Sequence, residues 1–257
     1  MRWWEENNIR LIQTNLRQTD AVADTDRLVS QFIDFGANTV LLNTAGIMSF
    51  YPSSLPYEYI NPYLDGLDFI GELVEKCHAN GIRVISRFDF SKIHKSIFQQ
   101  HPEWAYVSDN GKTIDYNGLI HTCINSEYQN RLSLEIIDEV LDRYPVDGVF
   151  FNMFGFVTRD YSNNYHGICH CEACRKRFRD AYGLELPSSE EPGTPGLREY
   201  RLFQRDCVDD ILQRIYSRVK AHSEDIAVCN YAEEYVDVVM NESNTEMHRP
   251  YPIWDYM

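Results

Sequence analysis

Residues 167 to 178 read GICHCEACRKRF and set Cys169, Cys171 and Cys174 within six positions of one another. Thiolates at that spacing repel unless a cation such as Zn²⁺ neutralises them, so the stretch reads as a metal site. Three thiolates leave one tetrahedral position open. Water there would make a catalytic centre, and a fourth protein ligand would make a closed structural one. His166, His170 or a distant cysteine can fill it. Cys123, in HTCINSEYQ, is the preferred ligand, and Arg175, Lys176 and Arg177 just beyond the cluster offset its charge. Closure by Cys123 is the reading followed, with zinc in a structural role.

A second group of residues has the character of a sugar site. Asn15, Asn43, Arg87, Asp89, Asn152, Asn230, Asn241, Glu242 and Asn244 fall at the ends of apolar runs that read as strands. Glycoside hydrolysis uses two carboxylates flanking the scissile bond, about 5 Å apart or about 6.5 to 9.5 Å apart. Glu242 is the first candidate, with Asp89 or Asp160 as its partner. Asn43, Arg87, Asn152 and Asn241 are candidate substrate contacts. Each acid also has a purely structural use: Asp89 as the ion-pair partner of Arg87 or Lys92, and Glu242 as a helix cap. Trp104 and Trp254, with Tyr51, Phe154 and Phe156, offer flat rings for the C–H faces of a pyranose, although most rings in a chain that is 13% aromatic belong to its core.

Elements must position these groups. Strands are expected from Ile9, Asn38, Ile82, Gly148, Ile226 and Val236, and their continuous apolar character suits parallel strands covered on both faces. Between them, Leu28, Val29, Phe32 and Ile33 form one helix face after Asp24, with Gly36 as its stop. Phe69, Leu73, Val74 and Cys77 repeat the pattern before Gly81. Ser126 and Gln129 have capping-box spacing ahead of a third helix. Strand–helix alternation with long loops after the second, third and fourth strands (47–65, 91–125 and 155–167) predicts a (β/α)₈ barrel whose active site lies at the C-terminal ends of its strands. Residues 1–257 read as one barrel domain. Only six strands are visible, so the domain looks truncated after about six βα units. The link from Tyr231 to Val236 is shorter than a parallel crossover normally needs.

Composition narrows the partners. Thirty-nine acidic against 24 basic residues give a net charge of −15, which opposes nucleic acid and anionic lipid surfaces. No apolar run approaches the roughly 18 residues of a membrane span. The start, MRWWEENNIR, lacks a secretory pattern, and seven cysteines, an odd number with three clustered, fit reduced thiols, so a cytoplasmic location is expected.

NPYLDGLDFIGELVEKCHANGIRVISRFDFSK, HPEW, HTCINSEYQ, DGVFFNMFG and CHCEACRKRF, in that order, resemble the hypothetical glycosyl hydrolase 6 family, a barrel group related to the family 42 β-galactosidases. The likeness runs from Arg2 to Met257. It implies a glycosidase acting on a neutral glycoside, and a structural zinc, because family 42 enzymes bind zinc through an H-x-C-x-N-S segment and a C-x-C-x-x-C cluster. Those positions match Cys123 and Cys169, Cys171 and Cys174. Family 42 enzymes end their fourth strand with Asn-Glu, the Glu serving as acid/base. Here Asn152 is followed by Met153, which transfers no proton. The fourth-strand aspartate nucleophile of fucosidase-type barrels is absent too, and the family 42 nucleophile belongs to a seventh strand. A non-catalytic carbohydrate-binding barrel is the alternative. Relatives also carry domains linked to trimers, and open sheet edges favour self-association, so a homodimer or homotrimer is expected.

Overall fold

In this computed structural model, residues 2–6, 8–231 and 234–240 are described. In chain order the strands and helices are β1 (Leu11–Gln13), α1 (Thr25–Asp34), β2 (Thr39–Gly46), α2 (Phe69–Ala79), β3 (Arg83–Asp89), β4 (Lys92–His94), α3 (Lys95–Phe98), β5 (Asp115–Tyr116), β6 (Leu119–His121), α4 (Ser133–Arg143), β7 (Gly148–Phe151), α5 (Glu172–Tyr182), α6 (Leu197–His222), β8 (Ala227–Asn230) and β9 (Val238–Val239). The main sheet has the order β1-β2-β3-β7-β8-β9, and every neighbouring pair is parallel. Order in space thus follows order in the chain. That is the winding of a (β/α)₈ barrel, whereas a doubly wound sheet reverses direction at a switch point. The six strands expected from sequence are all present, as six of the eight such a barrel has.

Alternation along each strand divides two apolar layers. Val40, Leu42, Val84, Phe88, Val149 and Phe151 belong to the large core, which also buries faces of the helices. Leu41, Ile85, Phe150, Ala227 and Cys229 point to the other side and form a compact cluster against Trp3 and Trp4. The Trp3 indole donates to the Asp147 carbonyl (3.2 Å), which fixes the N-terminal segment against the sheet. Asp24 and Asp68 cap α1 and α2 by accepting from Arg27 and Gly71 N–H groups, as their positions before apolar periodic runs suggest.

Two expectations need correction, and one open question is answered. The segment 91–125 is not an irregular loop, because β4, β6 and β5 form an antiparallel sheet beside the main one. The capping box at Ser126 and Gln129 does not form. Ser126 donates to the Cys123 carbonyl and Gln129 to the Thr122 hydroxyl, and the helix opens with a π turn over Tyr128–Leu132. The short link after Tyr231 does join two parallel strands, β8 and β9. Asp237 braces the junction: its buried carboxylate accepts from Val228 N–H (2.9 Å) and pairs with buried Lys220 (2.6 Å). Among the described residues no helix is long and apolar enough to cross a membrane.

Candidate functional site

A cavity of about 200 Å³ opens beyond the C-terminal ends of β1, β2 and β3, and Asn15, Asn43, Arg87 and Asp89 are in its wall. Strand register brings them together, since Asn43 pairs with Arg87 and Gly46 with Asp89 across an irregularity between Asn43 and Ala45. That register shift needs a glycine. Gly46 has φ +107°, and a Cβ there would lie 2.2 Å from the Asp89 carbonyl oxygen.

Scaffold hydrogen bonds orient the polar groups. The Asn43 side-chain oxygen accepts from Leu16 N–H (3.1 Å) and the Thr14 hydroxyl (3.3 Å), which ties the end of β1 to β2. Arg87 donates one long bond to Asn15 (3.4 Å), and its buried Nε has no protein partner. Asp89 is only 9% exposed. One of its oxygens accepts from Ser91, through both N–H (3.1 Å) and hydroxyl, and the other from the Asn152 amide (2.8 Å). Lys92 reaches Asp89 indirectly by donating to the Ser91 hydroxyl (3.0 Å). Burial pulls the Lys92 ammonium below the usual lysine range, with Asp89 opposing that shift.

The other expected site residues have varied placements. Asn152, at the end of β7, touches Asp89 and so joins the site through it. Met153 beside it takes a left-handed backbone, φ +50°. Asp160 lies in the loop between β7 and α5, where it accepts from Ser162 N–H, Asn164 N–H, the Asn164 amide and the His166 ring, all within 3.0 Å. The His166 and Asn164 bonds hold its carboxyl well below the usual carboxylate range. Its geometry is that of a loop organiser. Trp104 lies in the core at 2% exposure, stacked on His101 and Tyr128. Asn241, Glu242 and Trp254 lie outside the described residues.

The four cysteines converge. The sulfurs of Cys123, Cys169, Cys171 and Cys174 all lie within 4.8 Å of one another, and all four side chains are buried. A tetrahedral zinc with bonds of about 2.3 Å would place its sulfurs about 3.8 Å apart, so the donor set fits in both chemistry and span. Contacts with the other three sulfurs push the Cys123 thiol up, whereas bonds from Cys123, Cys169 and Cys174 hold Cys171 well below the usual thiol range. A bound cation would stabilise all four as thiolates. Asn125 supports the cluster, its N–H donating to Cys123 Sγ and its amide to Cys174 Sγ, both at 3.3 Å, while Arg177 donates to its oxygen. The site joins the segment after β6 to the first turn of α5. Neither candidate histidine replaces Cys123: His166 is held by Asp160, and His170 is not among the clustered donors.

Two residues of this region escaped sequence reasoning. Tyr161, next to Asp160, contributes to the cavity wall, and Glu58 is a buried acid bonded to Ser49, between the lining residues Met48 and Phe50. Neither carries a distinguishing local pattern. Ser49 donates to Glu58, and burial pushes the Glu58 carboxyl up to about 8. Through Ser49, Glu58 anchors the base of the loop that brings Ile47, Met48 and Phe50 to the cavity.

Comparison with known proteins adds three observations. The sequence profile of the hypothetical glycosyl hydrolase 6 family matches residues 24–153, half of the chain. The Beta-galactosidase GalA of Bacillus licheniformis is 25% identical over 113 residues, which are 44% of this chain and 16% of that protein. In three dimensions the chain is similar to the alpha-L-fucosidase isoenzyme 2 of Paenibacillus thiaminolyticus (TM-score 0.66, 19% identity, 88% of this chain and 32% of that one). It is also similar to the beta-galactosidase of Bacillus circulans sp. alkalophilus (TM-score 0.61, 18% identity, 93% of this chain and 40% of that one). At those identities the structural likeness speaks for a shared barrel fold. The chain thus spans 32% to 40% of these solved chains and 16% of the curated relative.

Proposed function

The chain belongs to the hypothetical glycosyl hydrolase 6 family, and from that premise we propose that it forms one barrel domain whose cavity binds a neutral glycoside for hydrolysis of its O-glycosidic bond. The observation that carries this reading is the convergence of Asn15, Asn43, Arg87 and Asp89 on one cavity at the strand ends. Amide and guanidinium donors there match sugar hydroxyls, and Asp89 supplies a carboxylate. Donors already meet both Asp89 oxygens, so its role is that of an acceptor, as a base or nucleophile, with Asn152, Ser91 and Lys92 holding it in place. Glu242 follows β9 in the sequence and is the proposed proton donor. Asp160 is kept as a weaker candidate partner because its oxygens are engaged within its loop. Cys123, Cys169, Cys171 and Cys174 hold a structural zinc. It supplies no chemistry to the reaction and clamps the segment that follows the cavity loop.

A second reading, a carbohydrate-binding barrel without turnover, is favoured by Met153 standing where family 42 enzymes have their acid. Hydrolysis assays separate the two. The protein is expected to cleave aryl β-galactosides or aryl α-L-fucosides, and Asp89→Asn to lower kcat by about 10²- to 10⁴-fold while sugar binding persists. Sugar binding with no turnover across a broad panel of glycosides would favour the second reading. Unchanged turnover in Asp89→Asn would remove Asp89 from the mechanism.

A further inference from the structure

The cavity wall has two aromatic rings with very different exposure: Phe50 is 3% exposed and Tyr161 is 53% exposed. The polar wall comes from the first three strands of the main sheet, while Tyr161 comes from the loop between β7 and α5. That loop is internally braced by the four hydrogen bonds to Asp160 and by a β-bridge between Arg159 and Tyr165. Two further contacts act on the ring itself. The buried Lys92 ammonium lies over it, 4.4 Å from its centroid, and Tyr116 meets it in a T-shaped contact at 5.3 Å. Lys92 has a structural reason to stay there. Its ammonium is 1% exposed as a residue and has one hydrogen bond, to Ser91, so the Tyr161 face supplies part of the stabilisation that burial removes.

We propose that Tyr161 is the specificity-determining platform of the cavity: its ring, held by Lys92 and Tyr116, takes the apolar C–H face of a pyranose whose hydroxyls meet Asn15, Asn43 and Arg87. The proposal rests on the glycoside reading and adds a residue to it. A half-exposed ring in a polar cavity has apolar area that a sugar face covers, and the polar groups on the neighbouring wall select how that face is presented. Lys92 then has two connections, one to Asp89 through Ser91 and one to Tyr161, and couples the position of the carboxylate to that of the ring. It is a positioning residue.

Binding of D-galactose and of L-fucose to the full chain, followed by ligand-observed NMR titration, tests this. Tyr161→Ala is expected to weaken the better-bound sugar by about threefold to tenfold, the range of an aromatic contact. Tyr161→Phe is expected to rescue binding to near the parent level, since the platform needs the ring and not the hydroxyl. Lys92→Met, which keeps the stem and removes the ammonium, is expected to fall between them. Near-UV circular dichroism checks that each variant is folded. Equal affinity of parent and Tyr161→Ala, with sugar bound by both, would overturn the platform and leave the glycoside reading standing. A parent chain that binds neither sugar would overturn both.

Discussion

Replacing Cys123 with serine removes one of four buried sulfurs that lie within 4.8 Å of one another, and it takes away the ligand that connects the segment after β6 to α5. Without a cation, four buried sulfurs crowd one another with no positive charge between them. Zinc binding to the folded chain alone stabilises it by about 4 kcal/mol when free zinc is about 1,000 times Kd. For a chain of 257 residues each kcal/mol moves Tm by about 2–4 °C, so loading should raise Tm by about 8–16 °C. The experiment compares parent, Cys123→Ser and Cys77→Ala in the presence of a reductant. Elemental analysis gives zinc per chain, and differential scanning calorimetry gives Tm with zinc and with chelator. The parent should bind one zinc and show the full increment. Cys123→Ser should lose most of both. Cys77 is a buried cysteine of α2 outside the cluster, so Cys77→Ala should keep the stoichiometry and the increment even if its baseline Tm falls. A parent whose Tm is the same with zinc and with chelator would refute the reasoning, as would full zinc content in Cys123→Ser.

Two other perturbations examine the framework of the cavity. Gly46→Ala combines a positive φ with a Cβ that would sit 2.2 Å from the Asp89 backbone, so a loss of more than about 3 kcal/mol is expected by urea denaturation, and a retained midpoint would contradict the register described. Glu58 titrates at about 8 when folded, against 4.5 for an unperturbed glutamate, because it is buried. Its folded value is raised, so its contribution is fully present below about pH 4.5 and is lost as pH rises toward 8. At about 1.4 kcal/mol per pH unit the ceiling for this loss is about 5 kcal/mol. Glu58→Gln should therefore flatten the stability profile between pH 5 and 8, and an unaltered slope in urea midpoints would show that Glu58 is not the group responsible.

Much of the fold was legible in local chemistry. Continuous apolar runs marked all six strands of the main sheet, and Asp24 stands before a helical pattern where a side-chain oxygen can meet an open N–H group. The cysteine spacing was equally direct, because crowded thiolates have few uses other than metal. Asn43, Arg87 and Asp89 could be placed at a cavity because strand ends of a barrel point there.

What sequence could not decide depended on distant partners. Trp104 has the same side chain whether it stacks on sugar or, as found, between His101 and Tyr128; only packing distinguishes them. Asp160 has the residue type of a catalytic acid, yet its loop folds back and surrounds it with donors. Lys92, Ser91 and Tyr161 acquire their relation to Asp89 only when the small antiparallel sheet and the loop after β7 are in place. Residue types and local periods thus determined which strands exist, which groups can bind metal and which acids could react. The tertiary structure decided which of them meet, because burial, hydrogen-bond partners and neighbouring charge are set by segments far apart in the chain.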